Sequence, residues 1–261
     1  MSLLGGGKSP FHDDDGSADP RAAATLAAFG SGLGSEHAAL TAQAAARLLV
    51  PIVSAPSRAA GHDQPGDTGA GVAPAATADH GAQMSLPTLI GRDGRAAIPA
   101  FTSLDTLARW DPRARPVPAL AGSVWRAAVD SSSAVVVDVA GPVPLAIEGA
   151  RLAALADGQP VPLPHQDPDV LAAARAAASG EPAIAGLRLT PGTGPVPGGG
   201  PAEAEPGADL QVELTLADGC AAAAAEAAAR RLGSDLMNQL GARLRRGITI
   251  AVAGSAGHGG S

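Results

Sequence analysis

Cys220 is the only cysteine, and it stands between a strand-like stretch and a helix-like one. A helix dipole at such a place can lower a thiol pKa. A persulfide-type site also needs a loop of backbone amides curling round the sulfur. Here five alanines, Ala221 to Ala225, follow and simply continue a helix, so a buried, inert thiol is expected. His165-Gln166-Asp167-Pro168-Asp169 places a histidine beside two carboxylates. Metal ions take ligands that converge from separated positions, and Asp167 before Pro168 has the form of a helix N-cap, so no metal site is expected. Thr102, Ser103 and Asp105 offer two hydroxyls and a carboxylate after a strand, but Ser103 has no G-x-S-x-G elbow and no identifiable base. Asp93 with Asp105 has the composition of an acid/base pair, yet the first is a turn residue and the second faces a helix dipole. Gly5–Ser9 reads GGGKS, but the first glycine of a phosphate loop would fall on Ser2, with no room for a strand before it. None of these commits to a reaction, and a non-enzyme is expected.

The elements that would position these residues follow from capping and periodicity. Asp19-Pro20 opens a helix to about Phe29, and Ser35 caps a second over Glu36–Ala46. Arg47–Ala55 is an apolar, β-branched run that reads as a buried strand. Leu86–Gly91 and Ala96–Phe101 flank Arg92-Asp93-Gly94, a strong hairpin signal. Ser103 caps a helix on which Leu104, Leu107 and Trp110 share a face, and Asp111-Pro112 ends it. Extended Arg115–Pro118 precedes a helix at about Leu120–Asp130, then strands at Ala134–Ala140 and Val143–Ile147. The unbroken apolar run of the first predicts burial on both faces. Gly149–Ala156 is a short helix, and Asp167 caps another that ends at Ser179-Gly180 and joins two lobes. Beyond it come strands at Leu187–Thr190 and Asp209–Leu216, a helix over Gly219–Arg246 with Leu232, Leu236, Leu240 and Leu244 on one stripe, and a strand at Ile248–Ala253. The organisation predicted is a disordered 1–18, an N-terminal domain over 19–165 with a disordered insertion at 56–83, a β-β-α-β lobe over 166–253 with a disordered loop at 191–208, and a disordered tail at 254–261. The fold class is α/β (α+β), with a mixed sheet and helices.

Composition narrows the function classes. Large side chains are scarce, with three Phe, two Trp and no Tyr in 261 residues, so Phe101, Trp110 and Trp125 are expected to anchor the core. The formal charge of −7 argues against nucleic acid as a partner, leaving only a local basic patch at Arg243, Arg245 and Arg246 to consider. No stretch approaches the roughly 18 apolar residues of a membrane span, and the N-terminal MSLLGGGKSPFHDDD has no apolar leader core. A cytoplasmic protein without membrane contact is expected. With no glycine-rich dinucleotide loop, no cofactor is expected either.

LPTLIGRDGRAAIPAFTSLDTLARW at Leu86–Trp110, above all the Pro99–Ser103 step, and VVVDVAGPVPLAIEG at Val135–Gly149 resemble the SseB family. DDGSADP at Asp14–Pro20 and the β-β-α-β lobe are similar to its actinobacterial members. The resemblance implies a cytoplasmic α/β protein with an SseB-type N-terminal domain and a smaller C-terminal lobe, and it carries over no catalytic residue. The expected role is a non-catalytic interaction or adaptor module that binds a protein partner through Phe101, Thr102, Ser103, Asp105 and Trp110. The alternative is a small-molecule-binding regulatory module, or an enzyme with a site in the cleft near Phe101–Trp110.

Overall fold

The computed structural model of the chain describes residues 11–55, 83–91, 94–192 and 207–252. Two helices, α1 (Pro20–Gly30) and α2 (Glu36–Gln43), lead into strands β1 (Arg47–Ala55), β2 (Gln83–Ser85), β3 (Leu89–Ile90) and β4 (Ala96–Ala100). Helix α3 (Leu104–Trp110), strand β5 (Arg115–Leu120), helix α4 (Ala121–Asp130), strands β6 (Ala134–Val137) and β7 (Leu145–Ile147) and helix α5 (Gly149–Ala156) complete the first region. After a single 3-10 turn at Pro164–Gln166 come α6 (Pro168–Ser179), β8 (Ile184–Pro191), β9 (Leu210–Leu216), α7 (Ala222–Leu240) and β10 (Ile248–Val252). The fold is α/β.

The strands form three sheets, ordered β2-β1-β5, β3-β4-β6-β7 and β10-β9-β8. β1 pairs antiparallel with both neighbours, whereas β4 and β6 run parallel, as the α3-β5-α4 crossover between them allows. A bridge between Leu49 and Phe101, with hydrogen bonds of 2.7 and 2.8 Å in the two directions, ties the first sheet to the second. In the C-terminal lobe β8 and β9 are antiparallel, and β9 and β10 are parallel across α7. Leu210, Val212 and Leu214 alternate inward on β9 and meet Leu232, Leu236, Leu240 and Leu244. That core is separate from the larger one, which runs from Leu26 to Val161 around Trp125 and Phe29.

Helix starts follow the capping residues. Asp19 accepts from the Ala22 amide at 2.9 Å with Pro20 behind it, Ser35 from the Ala38 amide at 3.2 Å, and Asp167 from the Asp169 amide at 2.8 Å. Element ends differ from expectation where a tertiary bond intervenes. The second helix stops at Gln43 and not Ala46, because Ala46 and Arg47 are already held by Ala121 and Leu120 of the neighbouring segment. The strand expected over Ala134–Ala140 ends at Val137, since Asp138 turns the chain at φ 51. Its faces are not both buried: Val135 and Val137 are covered, Ala134 and Val136 only partly. The last helix ends at Leu240, because the following turn is drawn onto β9 through Arg246 and Asp209.

The N-terminal segment is a further correction. Residues 11–18 lie against the domain: Asp14 pairs with Arg47, and the Leu104 amide donates to Gly16 O at 2.9 Å. Gly16 sits under the Leu104 side chain where a Cβ would collide. Gly5–Ser9, the body of the 56–83 insertion, Asp93, most of the 191–208 loop and the 254–261 tail lie outside the described residues, although Gln83 belongs to β2, Pro191 ends β8 and Ala208 is buried.

The two cores are joined by buried charge. Glu36 on α2 receives Arg151 of α5 on one oxygen and Arg243, beyond α7, on the other at 3.1 Å. Arg243 also reaches Asp167, the fully buried cap of α6. Two carboxylates and two guanidiniums thus neutralise one another, with Asp169 fastening the α5 end by accepting from the Ala150 amide at 2.8 Å. Removing one partner strands the others in a poorly hydrated setting. Arg243→Ala is therefore expected to cost about 3–5 kcal/mol, measured by urea unfolding. A loss no larger than that of an exposed arginine such as Arg230 would show that the joint carries little.

Candidate functional site

The step from β4 into α3 is where the expected interaction residues fall, and the structure separates them. Phe101 is completely buried against Leu49 and Leu107 and presents no surface, contrary to expectation, because its backbone is bridged to β1 and its ring fills the space between the sheets. Trp110 packs on it with ring centroids 5.4 Å apart and remains half-buried at the far end of α3. Asp105 is exposed in the first turn of α3. Only Thr102 and Ser103 face a cleft.

That cleft has a volume of about 530 Å³. Leu26, Ala27 and Gly30 of α1 form one wall, and Pro142 and Val143 before β7 form the other. Thr102, Ser103, Thr106 and Asp138 close one end. Asp138, Thr106 and the α1 residues of this lining are not among the site residues expected from sequence. Asp138 did carry a signal, as a lone carboxylate in the apolar run AVVVDVA before Gly141-Pro142.

The polar end is internally satisfied. The Thr102 amide donates to Asp138 Oδ1 at 2.8 Å and its hydroxyl to Oδ2 at 2.7 Å, both buried. Ser103 Oγ accepts from the Thr106 amide at 3.2 Å, and Thr106 Oγ1 accepts from the Ser103 amide at 3.3 Å, which completes a reciprocal cap. Arg47 donates to the Thr102 carbonyl at 2.9 Å from the other side. Each of these groups is committed to shaping the step, and the remaining lining is mostly hydrocarbon.

The other candidate chemistries also resolve into architecture. Cys220 is half-exposed in the turn before α7 and not buried as expected, because Gly219 at φ 73 breaks the chain and the helix begins only at Ala222. Asp167 and Asp169 are taken by Arg243 and by backbone amides, and His165 lies in the 3-10 turn. Among the described residues no group of three or more His, Cys, Asp or Glu is placed to hold a metal ion. Of the arginines expected as a basic patch, Arg243 turns inward to Glu36 and Asp167 and Arg246 to Asp209, while Arg245 stays on the surface against the Gly30 carbonyl and the Phe29 ring.

The model of the SseB protein N-terminal domain matches residues 22–154. The chain belongs to the SseB family. No curated protein and no solved structure matches it. The matched stretch runs from within α1 to within α5, and so covers nearly the whole lining of the cleft, together with Glu36 and Arg151. Asp167 and Arg243, which complete the joint, come from beyond the SseB domain.

Electrostatics is concentrated in that joint. Burial pushes the Glu36 carboxyl above its ordinary range, against the pull of Arg151 and Arg243. Burial lowers Arg151, opposed by Glu36. Arg243, which burial alone would lower, ends up raised by Glu36 and Asp167.

Two outcomes follow from these bonds. Thr102→Val removes the buried hydroxyl donor to Asp138 and is expected to cost about 1–3 kcal/mol, with Thr102→Ser restoring most of it in urea unfolding. Equal stability of the valine variant and the parent would show that Asp138 does not fix this step. Between the ordinary glutamate value and the raised one, Glu36 in the folded chain keeps a proton that the unfolded chain has released. This contribution to stability is full below the ordinary glutamate value and is lost as pH rises through the raised one. Over steps from about pH 4 to about pH 8, the parent should lose this increment while Glu36→Gln, which cannot titrate there, does not. Identical pH profiles would contradict the burial of the Glu36 charge.

Proposed function

We propose that the chain is a non-catalytic binding module, an interaction or adaptor protein whose α1–α3 cleft receives an apolar group of a protein partner. The observation that carries this reading is a cleft with hydrocarbon walls whose hydroxyls and carboxylate already have partners within the chain. A reacting site needs a base or nucleophile that is free to engage substrate. A receptor for a side chain needs only shape and apolar area, worth about 25 cal/mol per Å2. Of the surface expected from sequence, Ser103 lines the cleft and Asp105 and Trp110 flank the same helix. A cytoplasmic setting belongs to the same proposal. It is supported by a single cysteine that can form no disulfide within the chain, while no helix among the described residues is long and apolar enough to cross a membrane. An actinobacterial type of the family is part of it as well, supported by the Asp14–Pro20 lead-in and the β-β-α-β lobe.

The second reading, a small apolar ligand in the same place, is favoured by the cleft's volume, which falls within the range of small-molecule sites. Peptide display separates the two readings. Random peptides panned on the full chain are expected to yield sequences sharing an apolar anchor. Their binding should fall at least about tenfold in Ala27→Trp, which fills the cleft from the exposed side of α1. Peptides that bind both forms equally would place the contact elsewhere. Failure to enrich any peptide, together with thermal stabilisation by an apolar metabolite that Ala27→Trp abolishes, would favour the second reading.

A further inference from the structure

The cleft and the C-terminal lobe meet at one residue. Gly30 forms part of the cleft wall, and its carbonyl accepts from Arg245 Nη1 at 3.1 Å. The same guanidinium lies 4.7 Å from the centroid of the Phe29 ring, one residue earlier and buried in the main core. Arg245 itself is held from its own lobe, since Leu244 is buried among the α7 leucines, Arg246 is fixed by Asp209, and Arg243 is locked by Glu36 and Asp167. Gly30 packs directly on Val143, which also lines the cleft, so that a Cβ at Gly30 would collide with a Val143 methyl group. Val143 follows the Asp138–Gly141 turn, and Asp138 in turn fixes Thr102 at the cleft's polar end.

We propose that docking of the C-terminal lobe sets the width of the cleft, so that the lobe contact and cleft occupancy stabilise each other. The coupling rests on the reading of the cleft as a binding site only for its biological use. Its physical content is a run of contacts from Arg245 to Gly30, from Gly30 to Val143, and along the chain from Val143 to the Asp138–Gly141 turn. If the two sites are coupled through these contacts, the coupling is reciprocal. The C-terminal lobe then acts as a regulator of the SseB domain: whatever loosens the lobe opens the cleft, and whatever fills the cleft tightens the lobe.

Hydrogen exchange followed by mass spectrometry tests this without a ligand, on the full chain and on Arg245→Ala. The Arg245 side chain is on the surface, so its removal strands no buried charge. Exchange is expected to accelerate about tenfold in residues 102–106 and 138–143, which Arg245 does not touch, as well as in 28–31. Acceleration confined to 28–31 would overturn the coupling. Arg245→Lys, which keeps a cation near Phe29, should return part of the protection. The probe anilinonaphthalene sulfonate reads the cleft separately. Its affinity should drop by a similar factor in Arg245→Ala, and unchanged affinity counts against the coupling. No binding to the parent chain would count against the binding reading alone, with the exchange pattern still deciding the coupling.

Discussion

The Asp138 carboxylate is the small hinge on which the N-terminal domain turns. It is buried, and each of its oxygens takes one donor from Thr102, an amide and a hydroxyl. A buried carboxylate without such donors would cost several kcal/mol, so the chain can accept φ 51 at Asp138, a strained position for a residue with a Cβ. That turn ends β6, sends Pro142 and Val143 over to face α1, and holds the β4–α3 step at the angle where Ser103 caps the helix. The Asp138 amide also donates to Ala100 O at 2.9 Å, which continues the parallel ladder by one rung. Sheet, helix start and cleft are therefore geometrically one object.

The joint between the lobes works on a different principle. A hydrophobic interface would tolerate sliding, but two guanidiniums and two carboxylates pair only in a specific geometry, which here leaves Arg151 Nε as the one buried nitrogen of Arg151 or Arg243 without a partner. Arginine suits this role better than lysine, since its planar fork can serve Glu36 and Asp167 at once. The desolvation recorded in the raised Glu36 carboxyl is the cost of that specificity. Two cores that share little apolar contact are thus held in a fixed relation by charge.

How much of this was legible in the sequence depends on the range of the interaction involved. Local chemistry was readable: Asp19, Ser35, Ser103 and Asp167 cap the helices expected of them, and the leucine stripe of α7 faces its sheet. Element ends were misplaced where a partner distant in sequence decides them, as at Ala46, Asp138 and Arg246. The same blindness affected function. Thr102 and Ser103 were singled out for their hydroxyls, but the wall that makes a cleft of them comes from α1, some 70 to 80 residues earlier in the chain. The arginines at 243, 245 and 246 looked like an exposed patch, because one-dimensional clustering of charge does not reveal that Glu36 and Asp209 wait for two of them. Asp138 could have been found, since a carboxylate within an apolar strand signature needs a buried partner.

The alanine- and glycine-rich composition takes on structural meaning at the cleft. α1 turns Ala23, Ala27 and Gly30 toward it where leucines would have packed against Pro142 and Val143 and closed the space. The helix can spare that face because Ala22 and Phe29 are buried on the other side, with Leu26 buried at the margin between the two. Small residues lower the apolar area gained within the fold, which places more of the burden on the few large side chains, Phe29, Phe101 and Trp125, all fully enclosed. The three α1 positions are not equivalent in this respect: Ala27 is exposed and Ala23 half-buried, so either could carry a larger side chain, whereas a Cβ at Gly30 would collide with Val143.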